Sequence, residues 1–233
     1  MSNEIILVVD DEKEIRELIK IYLKNEGYNI ILAKNGEEAL KILEDQEVHL
    51  IILDIMMPKL DGIKACMKIR EEKNMPIIML SAKSEDMDKI MGLTTGADDY
   101  MTKPFNPLEL VARVKSQLRR YMKLNKGKEE TDNNHIIEID ELVINMNTHE
   151  VKVKGENVKL TPTEFEILKL LARNKGMVFS IEKIYERVWK ETCYNANNTV
   201  MVHIRKIREK IEKNPRKPQI IKTVWGVGYK VEG

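Results

Sequence analysis

Leu50-Ile51-Ile52-Leu53-Asp54 is a continuous apolar run that ends on a carboxylate, with Pro58, Asp61 and Gly62 close behind it. Four consecutive large aliphatic residues before a turn signal read as a strand buried on both faces, the kind that builds parallel sheets. Working outward, Ile5–Val9 is a similar run and ends on the pair Asp10-Asp11. Ile77–Leu80 ends on Ser81, and Tyr100–Met101 is followed closely by Lys103-Pro104. Tyr28–Ala33 supplies a further strand. Between the strands, apolar residues recur at helical spacing. Ile15, Leu18, Ile19, Tyr22 and Leu23 predict a helix from Glu12 to Asn25, stopped by Gly27. Others are predicted from Glu37 to Leu43, over roughly 61–73 and 85–94, and over about 107–122 with Pro107 in the first turn. The alternation predicts an α/β, doubly wound domain around a five-stranded parallel sheet.

Length and composition bound the rest. The chain has 233 residues, enough for two domains, with 42% hydrophobic and 33% charged residues. No N-terminal apolar run has the length of a signal peptide or membrane span, so a cytoplasmic protein without a membrane partner is expected. Cys66 and Cys193 lack metal-ligand spacing and there are only 4 His, which argues against zinc or a disulfide framework. Charge is uneven. Residues 1–122 carry 18 Lys+Arg against 22 Asp+Glu, whereas residues 199–233 carry 9 against 3. A basic C-terminal end suits contact with a phosphate backbone.

In a doubly wound sheet the functional crevice lies at the carboxyl ends of the strands. Asp10, Asp11, Asp54, Ser81 and Lys103 all fall at or just beyond such ends. Three gathered carboxylates repel one another unless a cation is present, and Mg²⁺ with octahedral oxygen coordination suits them. Asp54 is then placed to attack a phosphorus centre. Lys103 would neutralise developing oxygen charge, and the Ser81 hydroxyl could donate to a phosphoryl oxygen.

Lys123–His135 is polar and aperiodic and reads as a linker between a domain over 1–122 and a second over 136–233. The second begins with extended segments at Ile136–Ile139, Leu142–Asn145 and Glu150–Val153, then a turn at Gly155-Glu156-Asn157 and a short extended piece at Val158–Leu160. Thr161, Pro162 and Glu164 form a capping-box start to a helix that buries Phe165, Ile167, Leu168 and Leu171. Helices follow over about 180–188, capped by Ser180, and about 198–212, and then a hairpin from Ile220 to Val231 turning at Gly226–Gly228. Helices ending in a hairpin predict a winged helix-turn-helix. Its third helix carries His203, Arg205, Lys206, Arg208 and Lys210 around an apolar side, as a major-groove reader would.

Residues 1–122 resemble the CheY-like receiver domain of two-component response regulators. The carrying residues are Asp10-Asp11, Asp54, Ser81 and Lys103-Pro104. The second half resembles the OmpR/PhoB effector domain through Leu160-Thr161-Pro162-Thr163-Glu164-Phe165 and Thr223-Val224-Trp225-Gly226-Val227-Gly228-Tyr229. The run Leu53–Pro58 and the blocks at Asn197–Thr199 and Thr223–Lys230 look most like the VanR-type branch, regulators of cell-wall antibiotic response. The resemblance implies a phosphoacceptor at Asp54, served by a sensor histidine kinase. It implies metal ligation by Asp11, Asp54 and the Met56 carbonyl, with Asp10 acting through water, and a cis Lys103–Pro104 peptide. Phosphoryl binding and switching fall to Ser81, Ala82, Lys103 and Tyr100, with Met56 and Lys83 tuning hydrolysis. Phosphorylation would drive a homodimer through the pairs Lys89–Glu109, Asp98–Arg120 and Asp99–Arg113. DNA contacts carry over to Thr199, His203, Arg205, Lys206, Arg208, Thr223, Gly228 and Tyr229, at a promoter where the Lys190–Asn197 loop would meet RNA polymerase. Two positions depart from the pattern. Asn198 and Trp225 stand where many members have Arg, which argues against an arginine at the wing tip and gives Trp225 a packing role.

Two other readings compete with a phosphorylation-controlled transcription regulator. A haloacid dehalogenase-like phosphatase also uses an Asp nucleophile, but Met56 stands where its second Asp is needed, and no substrate cap is evident. A phosphorylation-independent DNA-binding protein would have no use for the intact acidic pocket. Catalysis is expected only on the receiver's own phosphoryl group.

Overall fold

A computed structural model describes residues 4–82, 96–125, 136–190 and 197–232. The chain divides into two compact units, Met1–Tyr121 and Met122–Gly233. The helix predicted over 85–94, with Lys83 and Lys89, lies outside the described residues.

The first unit runs β1 (Ile5–Val9), α1 (Lys13–Asn25), β2 (Asn29–Ala33), α2 (Gly36–Asp45), β3 (Leu50–Asp54), α3 (Gly62–Glu72), β4 (Ile77–Ser81), β5 (Asp99–Thr102) and α4 (Pro107–Asn125). Its strands form one parallel sheet in the order β2-β1-β3-β4-β5. Every residue of the inner strands β3 and β4 is buried, which is why they read as unbroken apolar runs. Side chains alternate between the two faces. Ile6, Val8, Leu50, Ile52, Ile78 and Leu80 share one core with Ile19 and Leu23 of α1 and Leu110, Val114 and Leu118 of α4. The strand order reverses between β1 and β3, and their register sets Val9 opposite Leu53. Asp10 and Asp54 therefore emerge side by side at the switch point, where a ligand crevice opens.

Short polar side chains start the helices that flank this crevice. Asn35 accepts from the Glu38 N–H at 3.0 Å, and Asp61 from the Lys64 N–H at 2.8 Å. The last helix extends further than its pattern predicts, to Asn125, three residues into the expected linker. No Gly or Pro separates Pro107 from Gly127, so nothing local stops it.

The second unit opens with an antiparallel four-stranded sheet: β6 (Ile136–Ile139), β7 (Leu142–Asn145), β8 (Val151–Val153) and β9 (Glu156–Asn157). The fourth strand falls two residues earlier than expected. Lys154 and Gly155 both take positive φ, 55° and 84°, the signature of a two-residue hairpin turn, so pairing resumes at once with Val153 opposite Glu156. Helices α5 (Pro162–Arg173), α6 (Ile181–Trp189) and α7 (Asn197–Ile211) follow, and then the hairpin β10 (Ile221–Val224) and β11 (Gly228–Val231). Thr161 and Glu164 form the predicted capping box, and Glu164, almost wholly buried, also accepts from Lys210 at 2.6 Å. One core unites the sheet, all three helices and the hairpin, with Phe165, Leu168, Trp189, Ile204 and Ile221 among its members.

Candidate functional site: an acidic pocket and a basic helix

Three strand ends converge as expected. Lys103 Nζ lies 2.8 Å from Asp10 Oδ2 and 2.9 Å from Asp54 Oδ2. The ammonium is delivered by the segment after β5, whose Lys103 N–H donates to the Ser81 carbonyl at 2.7 Å. The Lys103–Pro104 peptide is cis. Carboxylate oxygens of Asp10, Asp11 and Asp54 all lie within 4.8 Å of one another; Asp11 is exposed and the other two are buried. Asp54 Oδ1 accepts from the Met56 N–H at 3.4 Å, and Asp10 Oδ1 from the Glu12 N–H at 3.0 Å. Ser81 is buried at the end of β4, Ala82 is exposed beside it, and Tyr100 is half-buried on β5.

Two neighbours of the pocket escape the strand-end logic. Glu12 Oε1 sits 3.6 Å from Lys103 Nζ, and the Arg16 guanidinium donates to the Asp10 carbonyl. Glu12 directly precedes α1 and follows the acidic pair, so its charge was visible; its reach to a lysine ninety-one residues away was not.

Electrostatics agree with a cation-binding function. Burial pushes the Asp10 carboxyl above its ordinary value, against the Lys103 hydrogen bond. Burial likewise raises Asp54; Lys103 opposes the rise and the Asp10 charge adds to it. For Lys103 burial pulls downward, but the hydrogen bonds to Asp10 and Asp54 outweigh it and the ammonium is held above 10.5. One ammonium thus faces three carboxylates. An all-oxygen, under-neutralised cluster fits a hard divalent cation, and it is consistent with the Mg²⁺ and phosphoryl-binding site of receiver domains.

The sign of the pH dependence follows. Folded Asp10 and Asp54 keep their protons to higher pH than the unfolded chain does, so the contribution of these two groups to stability falls as pH rises above about 3.8. Without Mg²⁺, Asp54→Asn should gain in urea midpoint relative to the parent as pH rises from that value, and saturating Mg²⁺ should stabilise the parent by about 2–3 kcal/mol at a hundredfold excess over its dissociation constant. A difference that shrinks as pH rises, or no response to Mg²⁺, would contradict the arrangement.

The expected interface residues divide. Asp99 receives both bonds of Arg113 NH1 within the same chain, at 3.0 Å each, and Arg113 also reaches Glu109 at 2.8 Å. Asp98 is 0% exposed and accepts from Arg70 at 2.7 Å and from the Ile77 N–H at 3.0 Å. Arg70 also donates to the carbonyls of Gly96 and Met75, each at 2.7 Å. In the single chain Asp98 is an internal tie between α3 and the approach to β5, and Arg120 is buried as well.

The DNA-facing candidates divide in the same way. Arg205 is exposed on α7 and pairs with Glu209 at 2.9 Å; Thr199 and Lys206 are half-buried. His203 is 1% exposed, with its ring 5.6 Å from that of Trp189, so it belongs to the core and not to the groove-facing row. Arg208 donates to the Ile221 carbonyl at 2.7 Å and to Thr223 Oγ1 at 2.9 Å, and lies over the Tyr229 ring at 5.5 Å. These contacts make Arg208 and the buried Tyr229 parts of the hairpin's attachment. Trp225 reverses its expected packing role: it is 91% exposed. A helical pattern reveals which residues are charged, but not which charged side chain folds back under a later hairpin.

Residues 6–115 match the family described as response regulator receiver domain, and residues 155–231 match transcriptional regulatory protein, C terminal. With the acidic pocket and winged helix in place, the chain belongs to the OmpR/PhoB family of two-component response regulators. It is a receiver domain with an Asp cluster, its phosphorylation site, linked to a DNA-binding transcriptional regulatory domain, and its catalysis is confined to its own phosphorylation and dephosphorylation. It is closely related to the VanR regulators. Regulatory protein VanR of Enterococcus faecium is 51% identical over 228 residues, 97% of this chain and 98% of that one. Regulatory protein VanRc of Enterococcus gallinarum is 48% identical over 230 residues, 99% of each. Among solved structures, the response regulator DrrB, a Thermotoga maritima OmpR/PhoB homologue, matches with a TM-score of 0.52 and 35% identity over 100% of both chains. No helix among the described residues is long and apolar enough to cross a membrane.

Proposed function

We propose that a sensor histidine kinase phosphorylates Asp54 in the cytoplasm, and that the modified receiver pairs with a second copy and tightens the effector domains on promoter DNA. The observation that supports this reading is the Asp54 carboxylate, presented at the end of β3 between Lys103 and the Asp10-Asp11 pair. Asp11, Asp54, the Met56 carbonyl and, through water, Asp10 would hold Mg²⁺, which neutralises phosphoryl oxygen charge when bound. An Asp54 carboxylate oxygen attacks phosphorus; its O–P bond forms as the donor's P–N bond to histidine breaks. Lys103 swings its ammonium from Asp54 to the incoming phosphoryl oxygens, and the Ser81 hydroxyl and Ala82 N–H donate to them. Movement of Ser81 toward the phosphoryl group leaves room for Tyr100 to turn inward, which alters the β5–α4 face.

Dimerisation on that face uses Asp99–Arg113 and Lys89–Glu109. Exchange of the Arg113 pair between copies keeps every charge matched, as a two-fold interface requires. Such pairs set register and partner choice, because only complementary signs can meet across the two-fold. With acetyl phosphate and Mg²⁺ the chain should double its mass in light scattering, and Arg113→Glu should remain monomeric while its thermal midpoint shows it folded. Normal dimerisation of a folded Arg113→Glu chain would remove this face from the account.

On DNA, α7 enters the major groove with Thr199, Arg205 and Lys206, while Thr223 and Gly228 bring the wing to the backbone. Residues 126–135 join the receiver to the effector, and the Lys190–Asn197 segment is the proposed contact for RNA polymerase. Lys206→Ala should weaken binding and lower the salt slope by about one unit, as loss of one phosphate contact does. Arg208→Ala should chiefly destabilise the effector, by about 1–3 kcal/mol, because a charged donor to two hairpin oxygens is lost. Equal salt slopes for Lys206→Ala and the parent, or an unchanged urea midpoint for Arg208→Ala, would reverse those roles.

A further inference from the structure

Helix α1 begins without a side-chain cap. Glu12 occupies the N-cap position at φ −78° and ψ 114°, and its carboxylate accepts no N–H of the first turn. By contrast, α2 and α3 are capped by Asn35 and Asp61. At α1 the fourth helical residue, Arg16, returns to the turn instead. Its backbone N–H donates to the Glu12 carbonyl at 3.2 Å, and its half-buried guanidinium donates to the Asp10 carbonyl. A cation this near a helix N-terminus opposes the helix dipole, so helix stability does not account for it. What it holds does. The Asp10 carbonyl belongs to the peptide that joins Asp10 to Asp11, and these two residues carry two of the three clustered carboxylates.

The two acids are fixed very differently. Asp10 is tied at every polar atom. Its N–H donates to the Ala33 carbonyl at 3.2 Å, Oδ1 accepts from the Glu12 N–H at 3.0 Å, Oδ2 faces Lys103 at 2.8 Å, and the carbonyl accepts from Arg16. Asp11 is exposed, and among the described residues nothing hydrogen-bonds its carboxylate. Its place in the cluster is therefore set by the peptide plane that precedes it.

We propose that Arg16 is a positioning residue for divalent-cation binding: by holding the Asp10–Asp11 peptide, it directs the Asp11 carboxylate toward the cation shared with Asp10 and Asp54. The inference rests on the Mg²⁺ reading of the pocket and goes beyond it by giving the ligand set an outer support. Groups bonded to ligands, and not to the metal, govern affinity through ligand orientation. Arg16 suits that role because its donor goes to a neutral carbonyl. Lys103 faces carboxylate oxygens of Asp10 and Asp54, whereas Arg16 occupies none that a cation needs. Position and charge also push affinity in opposite directions. A guanidinium near the cluster repels a cation. Removing it would tighten binding if its charge alone counted, and weaken binding if the peptide depends on it.

The test uses the full chain with Mn²⁺ as the probe, a cation that takes the same octahedral oxygen ligands as Mg²⁺. Free Mn²⁺ is counted by electron paramagnetic resonance. Arg16→Met, which keeps the apolar stem, should raise the dissociation constant about tenfold or more. Arg16→Lys keeps one charged donor and should recover most of that loss. Arg16→Gln makes the same comparison on a polar side chain, in case the apolar one costs the fold, and thermal midpoints in chelator show which variants are folded. Acetyl phosphate should label the folded variants slowly at limiting metal and at close to the parent rate once metal saturates. Binding as tight as the parent's, or tighter, in folded Arg16→Met or Arg16→Gln overturns the inference and leaves the cation site intact. An equal loss of labelling rate at limiting and saturating metal overturns it as well. A parent chain that binds no Mn²⁺ removes the cation reading of the pocket, and the inference with it.

Discussion

An Asp54→Asn chain given acetyl phosphate and Mg²⁺ is expected to gain no phosphoryl group where the parent gains one, as read by intact-mass spectrometry. The substitution keeps the shape of the side chain and removes only the nucleophilic oxygen charge. The pocket should therefore survive: Lys103 keeps Asp10 at 2.8 Å, and the costly burial that raises the Asp54 carboxyl is relieved. Asn at this position should leave the thermal midpoint equal to or above that of the parent, which separates loss of chemistry from loss of fold. Phosphorylation-dependent dimerisation and the accompanying gain in DNA affinity should vanish together. Full labelling of the mutant would move the acceptor elsewhere, and a dimer that still forms on acetyl phosphate treatment would uncouple assembly from Asp54.

Gly62→Ala should be the most damaging single methyl in the receiver. A Cβ at this first residue of α3 would lie 2.0 Å from the Asp54 carbonyl oxygen and 2.9 Å from the Ile55 Cα. Both obstacles are backbone, and Ile55 is itself bound to Gly62 through the Gly62 N–H and the Ile55 carbonyl at 3.0 Å. Relief requires α3 to move away from the end of β3, which carries the acceptor. A destabilisation of about 4 kcal/mol or more is expected, among the larger values for a single substitution. Urea unfolding should show the receiver transition shifted to lower denaturant with the effector transition in place. A midpoint within experimental error of the parent would mean that the β3–α3 turn yields easily.

The strand ends were legible because burial on both faces demands unbroken apolar runs, and a carboxylate closing such a run can only stand at the rim. Asp10, Asp54, Ser81 and Lys103 were found in this way, and their convergence follows from parallel pairing alone. Where a second, non-local partner decides a residue's role, local pattern fails. Asp98 and Asp99 are adjacent acids with the same charge, yet within the chain one is bound by Arg70 of α3 and the other by Arg113 of α4. Arg205 and Arg208 look alike on a helical repeat, and only the later hairpin makes Arg208 a tie. His203 and Trp225 were misplaced in opposite directions for the same reason: a residue's polarity does not reveal which side of a packed helix or turn it occupies.

Sequence by itself determined the two-part organisation, the parallel sheet, the acidic pocket with its lysine, and the winged-helix class, because hydrophobic periodicity and strand-end chemistry are local properties that packing only has to obey. Tertiary structure alone decided which charges face solvent and which are tied inward, and it placed a bare indole at the tip of an anchored hairpin. Those outcomes depend on contacts between segments far apart in the chain. Their energies arise from burial and hydrogen bonding in three dimensions, which no single stretch of residues encodes.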